Sequence, residues 1–188
     1  MNLNYRLILA SKSPRRQELL SKLDLDFDTR VKSIDESFPE NLPKDQVAEY
    51  LAIEKSKAFD TLADDELIIT SDTTVVYQDI LLEKASDNEE ALEMLKILSG
   101  KTHAVITGVC LKTKAKRVSF SETTLVHFDK LNEDDIRYYI STYKPFDKAG
   151  AYGIQEWIGM VGVNKIEGDF YNVMGLPLNR LYKELRSF

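Results

Sequence analysis

Several short stretches of the chain carry side chains that could bind or cleave a ligand, and SKSPRR, residues 11 to 16, is the first. Ser13 suits a helix N-cap and Pro14 the first helical position, where its missing N–H costs nothing. Arg15 and Arg16 then fall in the first turn, at the positive end of the helix dipole, where each exposed cation loses roughly 0.3–1 kcal/mol. A phosphate chain seated on the free N–H groups between the two guanidinium groups would offset that loss. The plainer reading has both arginines turned outward toward Asp24, Glu18 or solvent. The stretch lacks the G-x-x-x-x-G-K-[ST] pattern of a P-loop.

The second is SDTT, residues 71 to 74, inside the apolar run LIITSDTTVVY. If that strand is central, Asp72 is buried, and an unpaired buried carboxylate costs several kcal/mol. It then needs a cation, a donor cluster or a metal; alternatively the strand ends there and Asp72 caps a turn. Lys55 lies on the apolar stripe of its helix and either snorkels to water or reaches a charged partner. Lys84 follows ILLE as a strand end. Asp35 and Glu36 sit in a loop, serving solubility or offering oxygen ligands to magnesium or manganese. In DKAGAYGIQ, residues 147 to 155, two glycines permit close backbone approach, and Gln155 can donate and accept at once, as reading the edge of a base requires. Otherwise the stretch is a turn. His103, His127 and Trp157 are assigned to packing or surface.

Alternating elements must position these groups. RLILA reads as a strand, SPRRQELL as a helix, and FDTRVK as a second strand. Residues 44 to 60 form a helix with Val47, Leu51, Lys55 and Ala58 on one face. LIITSDTTVVY turns at Gln78-Asp79 into ILLEK. Ser86 and Glu89 form a capping box for a helix ending before Gly100. HAVITGVCLKT and RVSFSETTLVHF make a hairpin; Asn132 caps a helix through Tyr139; MVGVNKI is a short strand, and a last helix follows Gly175 and Pro177. Helices mixed with hairpins imply an α/β domain with a mixed sheet. If Asp72 and Thr73 both serve one site, a bulge or strand end must interrupt the alternation that points them to opposite sides.

Composition narrows the function. A net charge of −6 over 188 residues leaves no broad basic field for gripping nucleic acid, so any anion site is local. Cys110 is the single cysteine and His103 and His127 the two histidines, which excludes an intrachain disulfide, a multi-thiolate zinc centre and a histidine-rich metal site. A bound metal would be a hard cation on carboxylates. The N-terminal apolar run of about five residues is short for a signal peptide, and no stretch approaches the ~20 apolar residues of a membrane span. The expected address is the cytoplasm, with neither membrane nor nucleic acid as partner.

Taken in order, LILASKSPRRQELL, IDES, EKSKA, SDTTVV, LLEKA, LSGKTHAVITGV, KPFDKAGAYGIQ and GDFYNVMGLPL resemble the Maf family, also called septum formation inhibitor proteins, which are nucleoside triphosphate pyrophosphatases. The resemblance runs nearly the whole chain, taken as one domain over residues 1–188. It implies a Maf or ITPase-like fold: a twisted mixed β-sheet flanked by helices, in two lobes with a central cleft. The implied reaction splits a nucleotide between its α- and β-phosphates. Asp72 stands at the family's proton acceptor; Glu36 and Asp72 would hold a divalent cation, Mg or Mn. Ser11, Arg15, Arg16, Lys55 and Lys84 match positions that hold the phosphates, and Arg15, Thr73 and Gln155 match positions tied to substrate choice. The YGIQ form looks like the branch acting on dTTP and UTP, with modified pyrimidine nucleotides as further substrates. Ser71, Thr74 and Ala85 depart from the family's usual alanine, valine and proline. The alternatives are a non-catalytic regulator of cell division at the septum, and a pyrophosphatase acting on ITP, XTP or 7-methyl-GTP. A homodimer is compatible with either class.

Overall fold

The computed structural model describes residues 4–188. Its strands and helices run in the order β1 (Arg6–Leu9), α1 (Pro14–Ser21), β2 (Phe27–Thr29), α2 (Val47–Lys57), β3 (Glu66–Tyr77), β4 (Ile80–Leu82), α3 (Asn88–Leu98), β5 (Thr102–Lys112), β6 (Arg117–Phe128), α4 (Glu133–Tyr143), α5 (Trp157–Gly162), β7 (Val163–Glu167), α6 (Phe170–Val173) and α7 (Leu178–Ser187). They build a seven-stranded mixed sheet in the order β2-β1-β3-β5-β6-β7, with β4 paired to β3. β1 is parallel to both β2 and β3, whereas β3 with β4 and β6 with β7 are antiparallel. The fold is the α/β mixed sheet that the alternation of elements predicts.

The chain divides into two compact units. The first comprises the chain up to Thr73, Thr107–Glu122 and Gly175–Phe188. In it the crossovers β1 to β2 and β2 to β3 run in opposite directions along the sheet. Because such crossovers are right-handed, they place α1 and α2 on opposite faces. Ile8, Ile68, Phe59 and Leu62 pack together as a small core. α2 lies unusually close to β5: a Cβ added to Gly108 would stand 2.3 Å from the main-chain carbonyl of Ala48. The same helix accepts a hydrogen bond of 2.6 Å from the Thr70 hydroxyl at the Ala52 carbonyl. At its C-terminal end it receives the Lys112 ammonium, which donates to Ser56 O at 3.1 Å and Phe59 O at 2.7 Å, where a cation complements both orphan carbonyls and dipole.

At the start of β3, Glu66 is buried and accepts from Arg6 Nη2 at 2.5 Å, Arg30 Nη2 at 2.6 Å and the Ala63 N–H at 3.1 Å. Led by the Arg30 hydrogen bond, these donors hold its carboxyl down at about 2.

The second unit comprises Thr74–Ile106 and Thr123–Met174. Its core gathers Leu92, Leu95 and Leu98 of α3, Ile136, Tyr139 and Ile140 of α4, and Val105, Val126 and Phe128 of the sheet. Each such side chain, fully buried, contributes roughly 1.5–3 kcal/mol.

Local readings are corrected at several points. The cap of α3 is Asp87, which accepts from Glu90 N at 2.9 Å, while Glu90 takes both the N–H and the hydroxyl of Ser86 at 2.7 Å; the predicted Ser86–Glu89 box is displaced by one residue. FDTRVK keeps only Phe27–Thr29 as strand. Residues 44 to 46 form a separate 3₁₀ turn ahead of α2, so the predicted single helix is two pieces. MVGVNKI straddles the end of α5 and the start of β7, because Trp157–Gly162 is helical. The helix capped by Asn132 runs on to Tyr143.

Candidate active site

Ser13 caps α1 as expected, with Pro14 in its first turn and the hydroxyl accepting from Arg16 N at 3.5 Å. Just ahead of it, the buried Ser11 accepts from Ser13 N at 3.2 Å through Oγ, and its carbonyl accepts from Gln17 Nε2 at 3.2 Å. The loop that would receive an anion is thus pinned at both sides of the cap.

Arg16 does not turn outward. Its Nε donates to Gly175 O at 2.8 Å, Nη1 to Ser71 O at 3.0 Å and Nη2 to Thr73 Oγ1 at 2.9 Å. Burial pulls the pKa of its guanidinium down, opposed by the charge of Asp72, with Arg15 lowering it further. Glu18, one of the outward partners considered, is taken by Lys22 at 2.7 Å. The acceptors of Arg16 therefore lie in β3 and in the turn before α7.

Asp72 finds the cation its position requires. Its Oδ1 accepts from Lys55 Nζ at 2.5 Å, and the same ammonium pairs with Glu36 Oε1 at 3.0 Å. The side chains of Asp72 and Lys55 are 14% and 17% exposed, that of Glu36 52%. Lys55 is therefore no snorkelling residue; the apolar stripe of α2 carries it to a charged partner. Asp35 instead closes its own turn, accepting from Ser37 N at 3.0 Å.

No bulge is needed to reconcile Asp72 with Thr73. Thr70 and Asp72, two residues apart, both meet α2, whereas Thr73 meets Arg16 of α1 and the hydroxyl of Thr107 at 2.9 Å. The two residues use opposite faces of a regular strand.

Two predicted site residues belong to the second unit. Lys84 is exposed, and its backbone forms a bridge with Ala149. Gln155 is also exposed and lines an open concavity of about 520 Å³ with Met160, Asn164 and Phe170 among its walls. The loop bearing Gln155 is firmly held. Lys148 pairs with Glu156 at 3.0 Å; Tyr139 donates to Glu156 and accepts from Gly153 N at 2.9 Å. Burial, with the Glu156 hydrogen bond, pushes the Tyr139 phenol well above its ordinary pKa. Tyr152 and His103 share a 2.7 Å hydrogen bond, and burial holds the imidazole down at about 4. His103 is thus a packing residue, as its sequence context suggests, seated against Phe128 and Tyr152.

The residues that sequence reasoning missed act through main-chain carbonyls, Ser71 O and Gly175 O, which leave no mark in side-chain chemistry. The one available signal was Gly175 within GDFYNVMGLPL. For a metal, the donor set is two carboxylates, Glu36 and Asp72, already converging on one positive centre. Among the described residues no group of three or more His, Cys, Asp or Glu could hold an ion. Two hard oxygen donors fit magnesium or manganese, which commonly take one or two protein carboxylates and complete their shell with water and substrate phosphates.

The fold has a counterpart of known structure in a HAM1 protein from Coxiella burnetii. The two agree with a TM-score of 0.53 at 14% identity over 98% of this chain and 100% of that one, a likeness of fold. The chain itself belongs to the Maf family, matching the description Maf-like protein over residues 6–188. Similar relatives are the dTTP/UTP pyrophosphatases of Parabacteroides distasonis, 53% identical over 98% of this chain and 96% of that one, and of Flavobacterium psychrophilum, 51% identical over 95% and 92%. Among the described residues no helix is long and apolar enough to cross a membrane.

Proposed function

We propose that this protein is a divalent-metal-dependent pyrophosphatase that hydrolyses dTTP and UTP to the monophosphate and pyrophosphate. The observation that carries the mechanism is the Lys55 ammonium clasped between Asp72 and Glu36. One cation facing two carboxylates leaves the trio with a net negative charge, a setting that favours a further cation, whose charge would in turn favour a nucleotide phosphate. Cleaving an anhydride requires mainly positioning, charge neutralisation and a base for water. Asp72 takes the proton of the attacking water as the α–β anhydride opens, and pyrophosphate leaves. Ser11 and Arg15, at the start of α1, bind phosphate oxygens with the helix N–H groups, and Lys55 swings from carboxylate to phosphate. Glu36 and Asp72 hold the metal; when bound, it neutralises phosphate charge and makes its water more acidic. Lys84 adds positive charge, and Gln155 reads the pyrimidine edge. The reaction is assigned to the cytoplasm and to a single Maf-type domain.

Pyrophosphate release from dTTP, UTP, ITP, XTP and 7-methyl-GTP, with magnesium and then manganese, tests this reading. Turnover of dTTP and UTP well above the purines is the expected result. Faster cleavage of ITP, XTP or 7-methyl-GTP would assign the enzyme to purine nucleotides, and no release from any of them would favour a binding role at the septum.

A further inference from the structure

Two of the three acceptors of Arg16 flank the proposed base in the chain. Ser71 O belongs to the peptide that joins Ser71 to Asp72, and Thr73 is the next residue along. β3 has β5 as its neighbour on one edge. On the other edge the parallel ladder with β1 ends at Leu9↔Ile69 and the antiparallel ladder with β4 begins at Val75↔Leu82, so residues 70 to 74 lie between those two ladders. Gly175 completes the clasp: its carbonyl takes Arg16 Nε, and at φ +110° a Cβ there would approach Thr73 Oγ1 to 3.5 Å and Nε to 3.6 Å. Thr107 holds the Thr73 hydroxyl from β5.

We propose that Arg16 is a positioning residue that braces the Ser71–Thr73 segment from the face opposite Asp72, and so fixes where the Asp72 carboxylate points, instead of gripping a phosphate. A guanidinium presents its donors in a rigid plane, so three bonds from one side chain set an angle as well as a distance. A lysine at the same place supplies the charge without the fork. The inference rests on Asp72 acting as the base of a dTTP/UTP pyrophosphatase.

The test uses the whole protein, its Arg16→Lys, Thr73→Val and Thr73→Ser variants, and a non-hydrolysable α,β-imido analogue of dTTP. Pyrophosphate release gives kcat, calorimetry gives Kd and the competent fraction, and thermal melts report folding. For Arg16→Lys, kcat falls about 100-fold, the scale on which a misplacement near 1 Å is felt, while Kd for the analogue stays within about threefold. Thr73→Val, which removes one acceptor and keeps Arg16, lowers kcat about tenfold; Thr73→Ser restores it. If Arg16→Lys instead weakens Kd tenfold or more and keeps kcat at saturation, Arg16 is a phosphate ligand and the inference is overturned. An unchanged kcat in Thr73→Val overturns it as well, and decides the matter should Arg16→Lys fail to fold. A wild-type protein that releases no pyrophosphate from dTTP or UTP removes the functional reading, an outcome distinct from both.

Discussion

Glu66 and Asp72 stand six residues apart on the same strand, and each takes basic partners. Glu66 is met by two arginines and a backbone N–H, four hydrogen bonds in all counting both Arg30 contacts, at 3.2 and 2.6 Å, with Arg6 at 2.5 Å and Ala63 N at 3.1 Å. Asp72 is met by one lysine, which it shares with Glu36. A planar fork locks a carboxylate and cannot leave without abandoning several bonds at once, whereas an ammonium on a flexible stem is a point charge that can turn to another anion. The difference separates a carboxylate that holds the sheet from one whose counter-ion can be exchanged for substrate. A carboxylate in a strand is thus read by the kind of cation beside it.

The contrast can be broken at either end. The largest effect belongs to Asp72→Asn: kcat for dTTP falls about 10³–10⁴-fold, binding of the imido analogue largely survives, and the melting temperature hardly moves. Lys55→Arg gives Asp72 the kind of partner that Glu66 has; with the counter-ion locked, steady-state turnover drops about 10–100-fold. Glu66→Gln does the reverse. Urea unfolding shows a loss of about 2 kcal/mol, while pyrophosphate release per folded molecule is unchanged. The pH dependence follows from the sign of the shift: the Glu66 carboxyl is held at about 2 against an ordinary 4.5, so its contribution is complete above 4.5 and is lost as pH falls toward 2. The stability gap between wild type and Glu66→Gln, measured by denaturant titration, closes over that window. The smallest effect lies close to Asp72 on either side along β3. Ser71 Oγ and Thr74 Oγ1 are buried with no hydrogen-bond partner among the described residues, so Ser71→Ala and Thr74→Val each raise stability by about 0.5–1 kcal/mol in the same titration.

Much of this was written in residue types. An aspartate inside LIITSDTTVVY demands a cation, and Lys55 on an apolar helical stripe is a cation in want of a partner; the structure joins the two. The hairpin of β5 and β6, the Ser13 cap and the strand β3 were likewise legible from periodicity and capping chemistry. The destination of Arg16 was not, because two of its acceptors are main-chain carbonyls that every residue possesses. Glu36 could be chosen over Asp35 only through resemblance, since adjacent loop carboxylates look alike until one closes an Asx turn with Ser37. The missed helix Trp157–Gly162 carries two glycines in its own run, which mask its period, and the early end of β2 after Thr29 follows from pairing with the short β1.

The bare α-carbon at residue 108 has reach beyond its own surroundings. Any methyl there would have to lift the start of α2 by on the order of 1 Å to regain ordinary contact. A helix transmits displacement as a rod does, and Lys55 lies about two turns along from Ala48. The grip on Asp72 would slacken although no charge had been altered, so a hunt for inactivating changes confined to ionisable positions would pass over one of the most sensitive places in the chain.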